Sequence, residues 1–285
     1  MSVEETRAFL AALHGSAVDQ GLHTLIWTSR DKASRFFTNL DDAAAYASQR
    51  AANSDVYTGM GVFRKPPPSG RGKAEAVDGI SSLWADVDVA GPGHKKRNLP
   101  PTREAARGLL AEMPLEPSIL LDTGGGLQAH WLLREVFTLD APGDRERAEA
   151  TERGWVNLLR SLAAKRGWDV DPVGDLARVM RVAGTQNLKV EGKPRPVRVV
   201  EPASPNGNLR RYNLPDFEAF TDEEPPPVKA KAVAPRAEVG PLILCADAEP
   251  PPPNWRRSWR MTNDSGKPGT ARGLISRTSP HLPTT

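Results

Sequence analysis

The run from Leu83 to Val89 constrains this chain most, because it places two carboxylates inside a stretch that otherwise has the composition of a buried strand. Alternate side chains of a strand share a face, so Asp86 and Asp88 point the same way with Cα atoms roughly 7 Å apart. Neighbouring carboxylates repel each other and are costly to desolvate unless a cation or a shared proton compensates. The pattern therefore favours a site for one or two hard divalent cations, with solvated carboxylates on a strand edge as the alternative.

The composition of the chain excludes several classes of protein. Of 285 residues, 39% are hydrophobic, which is enough for a substantial core. Cys245 is the single cysteine and the five histidines are scattered, so neither a disulfide framework nor a thiolate zinc site fits. The N-terminal segment, Met1 to Leu13, has the pattern of an amphipathic helix rather than a signal peptide, and no run is long enough to span a membrane. We therefore expect a cytoplasmic protein with no membrane partner.

Hydrophobic patterning predicts an α+β domain over residues 1–220, because strands and helices occur without regular alternation. The proline-rich segment 221–285 is predicted to be a linker or largely disordered tail, although its Trp255 and Trp259 lie among arginines. The predicted helices are residues 1–13, 41–52, 102–113, with Thr102 as N-cap, and 145–166, and a short one begins at Asp175 to Met180. The predicted strands are residues 22–27, 55–63, 83–89, 118–122, 127–133 and 197–201.

A glycine-rich turn, Gly124 to Gly126, separates two of the predicted strands. Consecutive glycines are typical of places where the backbone needs positive φ or where a phosphate approaches the main chain closely. His130 follows on the same strand face as Gln128 and is a candidate donor to a triphosphate. The alternative is a glycine hairpin with a histidine satisfied by a neighbour.

A third run, from Asp169 to Lys189, combines carboxylates with basic residues. Carboxylates near its start are candidates to complete a metal site, and Arg178, Arg181 and Lys189 supply positive charge for phosphates. On the predicted helical turn the two arginines would share a face. The wider segment 178–211 carries eight basic and two acidic side chains, a net charge of +6 that suits a polyanion, with a solvated basic surface as the alternative.

The order of these runs resembles the three motifs of the archaeo-eukaryotic primase superfamily: Asp-x-Asp on a strand, a glycine turn leading to a histidine, then a further acidic residue. Residues 175–189 resemble the Asp-x-x-Arg-x-x-Arg-x-x-Gly-Thr-x-Asn-x-Lys signature of RepB-like primases from plasmids, phages and integrated elements. The resemblance covers residues 22–201. The chain departs from it at Ala183, where the family usually has proline. In residues 221–285 we also expect no helicase or second DNA-binding domain of the kind that such primases often carry after the linker.

The resemblance implies a catalytic core related to the RNA-recognition fold, with a mixed sheet flanked by helices, that makes and extends primers on single-stranded DNA. It implies a two-metal site for Mg²⁺ or Mn²⁺ held by Asp86 and Asp88 with Asp171 or Asp175, of which Asp171 is slightly preferred. Nucleotide-binding positions carried over from the motifs are Gly124, Gly125, Gly126, His130, Arg178, Arg181, Asn187 and Lys189. The implied partners are a single-stranded DNA template, NTP or dNTP, and a helicase or replication initiator.

Other functions remain open from the residues alone. A non-catalytic replication or repair adaptor would bind single-stranded DNA through the basic segment and would not need Asp86 or Asp88. A nicking initiator with a tyrosine nucleophile is disfavoured, because Tyr46, Tyr57 and Tyr212 have no histidine pair near them in the sequence. A sugar-nucleotide transferase also uses Asp-x-Asp but gives no role to the pattern from Arg178 to Lys189.

Overall fold

The computed structural model describes residues 2–91, 98–202 and 208–220. The helices are α1 (Val3–Asp19), α2 (Leu40–Arg50), α3 (Arg103–Leu110), α4 (Asp144–Lys165) and α5 (Pro215–Glu218), with a 3₁₀ turn at Ala74–Ala76. The strands are β1 (Thr24–Thr28), β2 (Ser34–Phe37), β3 (Val56–Gly59), β4 (Gly61–Val62), β5 (Gly79–Asp88), β6 (Ile119–Asp122), β7 (Gly126–Thr138), β8 (Val179–Arg181), β9 (Gln186–Asn187), β10 (Arg195–Pro196) and β11 (Arg198–Glu201).

The described strands form two larger sheets and one short ribbon. The five-stranded sheet has the order β11-β6-β7-β5-β4, the four-stranded sheet has the order β2-β1-β3-β8, and β9 pairs with β10. All of these strand pairs are antiparallel. Helices and antiparallel sheets in this arrangement confirm the predicted α+β class.

The centre of the fold is the long pairing of β5 with β7. Trp131 of β7 packs edge-on against Trp155 of α4, with ring centroids 5.3 Å apart. The neighbouring residue, His130, points to the opposite face of the sheet and packs against Phe9 of α1. Both faces of this strand pair are therefore covered, which explains why eight of the ten residues of β5 are buried, Ser81 and Ser82 among them.

Side-chain caps begin three of the helices. Ser2 accepts the Glu5 N–H at the start of α1, and Asn39 accepts the N–H groups of Asp41 and Asp42 at the start of α2. Thr102 accepts the Ala105 N–H (3.1 Å), which confirms the predicted N-cap of α3.

Two local predictions are wrong. Asp175 to Met180 does not begin a helix, because Val179–Arg181 forms β8 and pairs with residues 57–59 of β3. A distant strand thus overrides local helix propensity. The predicted single strand 55–63 is divided at Met60, whose N–H donates to the Arg178 carbonyl, so β3 and β4 belong to different sheets.

The chain divides into two units, residues 1–229 and 230–285, and every helix and strand given above belongs to the first. The predicted proline-rich tail, 221–285, with Trp255 and Trp259, lies outside the described residues. Within the described part of the chain, no helix is both long and apolar enough to cross a membrane.

Candidate active site

A cleft of about 390 Å³ opens where the ends of β5 and β7 face β3 and β8. It brings together residues from all three runs that the sequence singled out. The predicted site residues that line it are Asp86, Asp88, Gly125, Asp171, Arg178, Arg181, Asn187 and Lys189. Four further polar residues that the sequence reasoning did not select also line it: Asp55, Tyr57, Thr123 and Gln128. We call the space between these side chains the active-site cleft.

Asp86 and Asp88 lie at the end of β5, opposite Gln128 and Gly126 of β7. Burial raises the pKa of Asp86 to about 6, and the nearby Asp88 carboxylate adds to the rise. The positive charges of Arg178 and Arg181 and a hydrogen bond with Gln128 act in the opposite direction. The carboxyl of Asp86 is thus disfavoured as an isolated anion, and a bound cation would relieve both the desolvation and the repulsion.

The donor chemistry of this pair fits a hard divalent cation. Mg²⁺ commonly takes one or two protein carboxylates and completes its coordination with waters and substrate phosphates. Within residues 2–91, 98–202 and 208–220, however, no three His, Cys, Asp or Glu side chains form a group that could hold a metal ion. The three-carboxylate cluster expected from the sequence is therefore not preformed, and Asp86 with Asp88 is the pair that fits a cation.

Asp171 and Asp175, the two alternatives for a third carboxylate, have different positions. Asp171 lines the active-site cleft, whereas Asp175 is not among the residues that line it. The Asp175 side chain is half exposed and lies 3.8 Å from the Arg178 guanidinium. Asp171 is therefore the better candidate to face a substrate in the cleft.

The two arginines of the signature have different environments. Arg181 donates to Asp55 (2.6 Å), its side chain is only 9% exposed, and its guanidinium lies over the Tyr57 ring at 5.0 Å. Its backbone N–H also donates to Gln128 Oε1 (3.0 Å). The side chain of Arg178 is 33% exposed and its contact with Asp175 is long. Arg178 is thus more available to a phosphate, whereas Arg181 is held in the wall of the cleft.

Asn187 joins the signature segment to the glycine turn. Its Nδ2 donates to the Thr123 carbonyl (2.7 Å), and its Oδ1 accepts the Lys189 N–H (3.1 Å). A buried amide that satisfies two backbone groups holds both segments in register. This arrangement positions the Lys189 backbone at the cleft.

Close packing explains the glycines of the turn. Gly124 has φ +74°, and a Cβ on Gly126 would lie 2.3 Å from the Val87 carbonyl oxygen. Gly125, between them, lines the active-site cleft and accepts the Val89 N–H through its carbonyl. The turn therefore brings bare backbone to the cleft beside Asp86 and Asp88.

The expected phosphate contact of His130 does not fit the structure. His130 shares a strand face with Gln128 but pairs with Trp84, deeper in the sheet, where α1 covers it. It is fully buried and is not among the residues lining the cleft. Burial and the proximity of His14 lower the pKa of His130 to about 3, so the ring is neutral near pH 7. It is an interior residue rather than a ligand of a nucleotide.

The missed residues carried weak sequence signals. Gln128 lies within the glycine-rich run, but its position across from Asp86 depends on the register of β5 and β7. Asp55 begins a strand predicted from its apolar residues, and it contacts the signature segment through Arg181 and Leu188, more than 120 positions later. Long-range pairing of this kind leaves no local pattern.

No family model and no curated protein matches the chain. Among solved structures, the AEP domain of the cyanophage S-2L primase-polymerase aligns with a TM-score of 0.49 and 14% identity, covering 77% of this chain and 98% of that one. A crystal structure of the primase RepB′ aligns with a TM-score of 0.40 and 19% identity, covering 73% of this chain and 58% of that one. The catalytic domain of RepB′ in complex with initiator DNA aligns with a TM-score of 0.39 and 16% identity, covering 73% and 87%. Over about three quarters of its length, the chain is similar to these primase and primase-polymerase structures at low sequence identity.

Proposed function

We propose that this chain is a nucleotidyltransferase that synthesises and extends primers on single-stranded DNA. One observation carries the proposal: Asp86 and Asp88 share a cleft with Arg178 and Lys189, beside the exposed backbone of a glycine turn. Carboxylates for a cation, basic side chains for a triphosphate and room for its approach are the parts that phosphoryl transfer requires.

In this proposal each residue has a distinct role. Asp86 and Asp88 hold Mg²⁺ or Mn²⁺, with Asp171 facing the same substrate. When bound, the metal ions would lower the pKa of the primer 3′-hydroxyl and stabilise the pyrophosphate leaving group. Arg178 and Lys189 bind the triphosphate, and arginine suits two-point contact with phosphate oxygens. Asp55, by pairing with Arg181, holds that side chain in the wall of the cleft.

A non-catalytic single-stranded-DNA adaptor is the second candidate. It is favoured by the lack of a three-ligand metal cluster among the described residues. This function needs the basic side chains but not the carboxylates, so Asp86 and Asp88 distinguish the two proposals.

The test uses the full chain, an unprimed single-stranded DNA template, labelled NTPs or dNTPs, and Mg²⁺ or Mn²⁺ in turn. We expect metal-dependent incorporation by the natural protein and a loss of about a hundredfold or more in Asp86→Asn/Asp88→Asn. Template binding by that variant should persist. The matched control, Glu146→Gln/Glu149→Gln on α4, removes the same charge away from the cleft and should keep activity.

Incorporation by the double asparagine variant at the natural rate would refute the catalytic role of the pair. Template binding by the natural protein without incorporation under any of these conditions would favour the adaptor. A further comparison separates the two remaining carboxylates: Asp171→Asn should lower incorporation, whereas Asp175→Asn should not.

A further inference from the structure

A second cleft, of about 310 Å³, adjoins the glycine turn, as the active-site cleft does. Among the described residues, Gly125 alone lines both. Three basic side chains line the second cleft, Arg103, Lys193 and Arg195, and no acidic side chain of the described residues does. We call it the basic cleft.

Arg195 has hydrogen-bonding groups that the protein leaves unused. Its stem packs on the turn so closely that a Cβ on Gly124 would lie 2.5 Å from the Arg195 Cβ. Its Nε and Nη2 atoms are shielded from water, and within the described part of the chain neither has a hydrogen-bond partner. Desolvated guanidinium donors without acceptors are costly, so a movement of this side chain that brought them to an anion in the cleft would be favourable.

Asp122, at the end of β6, is not an acceptor for the Nε or Nη2 atoms of Arg195. Asp122 Oδ2 pairs with Arg103 Nε (2.6 Å), and Asp122 Oδ1 accepts the Gly124 N–H (2.7 Å). Asp122 therefore orients Arg103 and the turn and does not serve Arg195. With this pair neutralised, Lys193 and Arg195 supply the net positive charge of the basic cleft.

A phosphate is the anion that best fits these donors. The planar fork of arginine matches two phosphate oxygens, and a lysine adds a mobile point charge. The segment that follows the signature also connects the two clefts, because Lys189 lines the active-site cleft and Lys193 and Arg195 line the basic cleft. A polynucleotide that occupied both clefts would therefore pass over Gly125, the residue that lines both.

We infer that the basic cleft binds a second phosphate of the nucleic-acid substrate while the reacting groups occupy the active-site cleft. This inference rests on the proposed function. The phosphate has two available sources: the backbone of the template strand, or the 5′-triphosphate of the first nucleotide of a new strand.

The test compares the natural protein with Lys193→Gln/Arg195→Gln. The matched control is Lys73→Gln/Lys165→Gln, which removes two positive charges from exposed residues outside both clefts. Circular dichroism melting curves verify folding, and if the double variant melts early, Lys193→Gln alone is measured in its place. Binding is measured in EDTA with two probes, a fluorescent oligothymidylate over a range of salt and inorganic tripolyphosphate.

If the basic cleft binds a template phosphate, the double variant should bind oligothymidylate about fivefold or more weakly than the natural protein does. The slope of log Kobs against log salt should then decrease in magnitude by about 0.7 for each phosphate that the variant no longer neutralises. A 5′-triphosphate predicts unchanged oligothymidylate binding, weaker tripolyphosphate binding, and a raised KM for the first nucleotide without loss of primed extension. If the variant matches the control in binding both probes, in the KM for the first nucleotide and in primed extension, the inference is overturned. Because the binding measurements need no metal and no turnover, they decide this point even if the natural protein incorporates no nucleotide.

Discussion

The ion pair between Arg181 and Asp55 offers the sharpest test of how the active-site cleft is held together. The side chains are only 9% and 15% exposed, and the Asp55 carboxylate also accepts the Leu188 N–H (2.8 Å). Asp55→Ala would leave the guanidinium in the wall of the cleft without its counter-ion. Removing one partner of a nearly buried pair costs about 3–5 kcal/mol, a large part of the roughly 5–15 kcal/mol of a typical domain. For a domain of this size, we expect Tm to fall by about 6–20 °C.

A double-mutant cycle isolates the pair from the other interactions of each residue. Asp55→Ala, Arg181→Met and the double variant are unfolded in urea, followed by circular dichroism. Methionine keeps apolar contact with Tyr57, and the removal of the Leu188 hydrogen bond cancels in the cycle. The coupling free energy should be about 2 kcal/mol or more.

An exposed pair of similar geometry provides the control. Arg7 Nε lies 2.5 Å from Asp41 Oδ1, but the two side chains are 53% and 68% exposed. The same cycle with Asp41→Ala and Arg7→Met should give a coupling below about 1 kcal/mol, because solvent screens the charges. If the two pairs show equal coupling, burial does not determine the strength of the Arg181–Asp55 interaction, and the reasoning fails.

Three further predictions concern the interior. Glu152 is buried on α4, accepts the Trp84 N–H through Oε2, and has a pKa raised well above 4.5 by burial. The pKa of Glu152 is higher in the folded state than in the unfolded state, so ionisation of Glu152 opposes folding as pH rises above 4.5. In urea unfolding, the free energy of unfolding of Glu152→Gln should increase relative to that of the natural protein by up to about 1.4 kcal/mol per pH unit. A lower free energy of unfolding for the variant at pH 8 would contradict this. His130, packed against Phe9 and near His14, has a pKa lowered to about 3, so its contribution to stability is present above pH 6.5 and is lost as pH falls toward 3. His130→Leu should therefore reduce the slope of the unfolding free energy against pH, between pH 6 and pH 4, by about 1.4 kcal/mol per pH unit. An unchanged slope would refute a neutral buried ring. Gly126→Ala should lower the urea midpoint strongly, because the added Cβ would clash with the Val87 carbonyl oxygen. The control, Gly15→Ala on α1, has nothing within 4 Å of the added Cβ and should raise the free energy of unfolding by about 0.5–1 kcal/mol. Equal effects of the two substitutions would show that the close approach at the turn is not needed.

Much of the site was predictable from short-range patterns. The two-residue period of a strand placed Asp86 and Asp88 on one face, and three glycines indicated a turn with close backbone approach. The N-cap at Thr102 and the long helix α4 followed from local rules in the same way. These features depend on residues within a few positions of each other, so the sequence carries them directly.

The roles within the site depended on interactions between distant segments. His130 and Gln128 share one strand face, yet α1 buries the first and leaves the second at the cleft. The spacing of the signature arginines, three positions apart, predicts that they share a face of a helical turn, but β8 pairs with β3 and Asp55 pairs with Arg181.

The amino-acid sequence by itself determined the α+β class, the carboxylate pair and the glycine turn, because backbone periodicity and glycine conformation are local properties. Only the tertiary structure decided that Asp171 rather than Asp175 lines the cleft, that Arg178 is the more available arginine, and that His130 is interior. The physical reason is that exposure and charge pairing depend on which remote element covers each side chain, and the spacing of residues along the chain does not encode this.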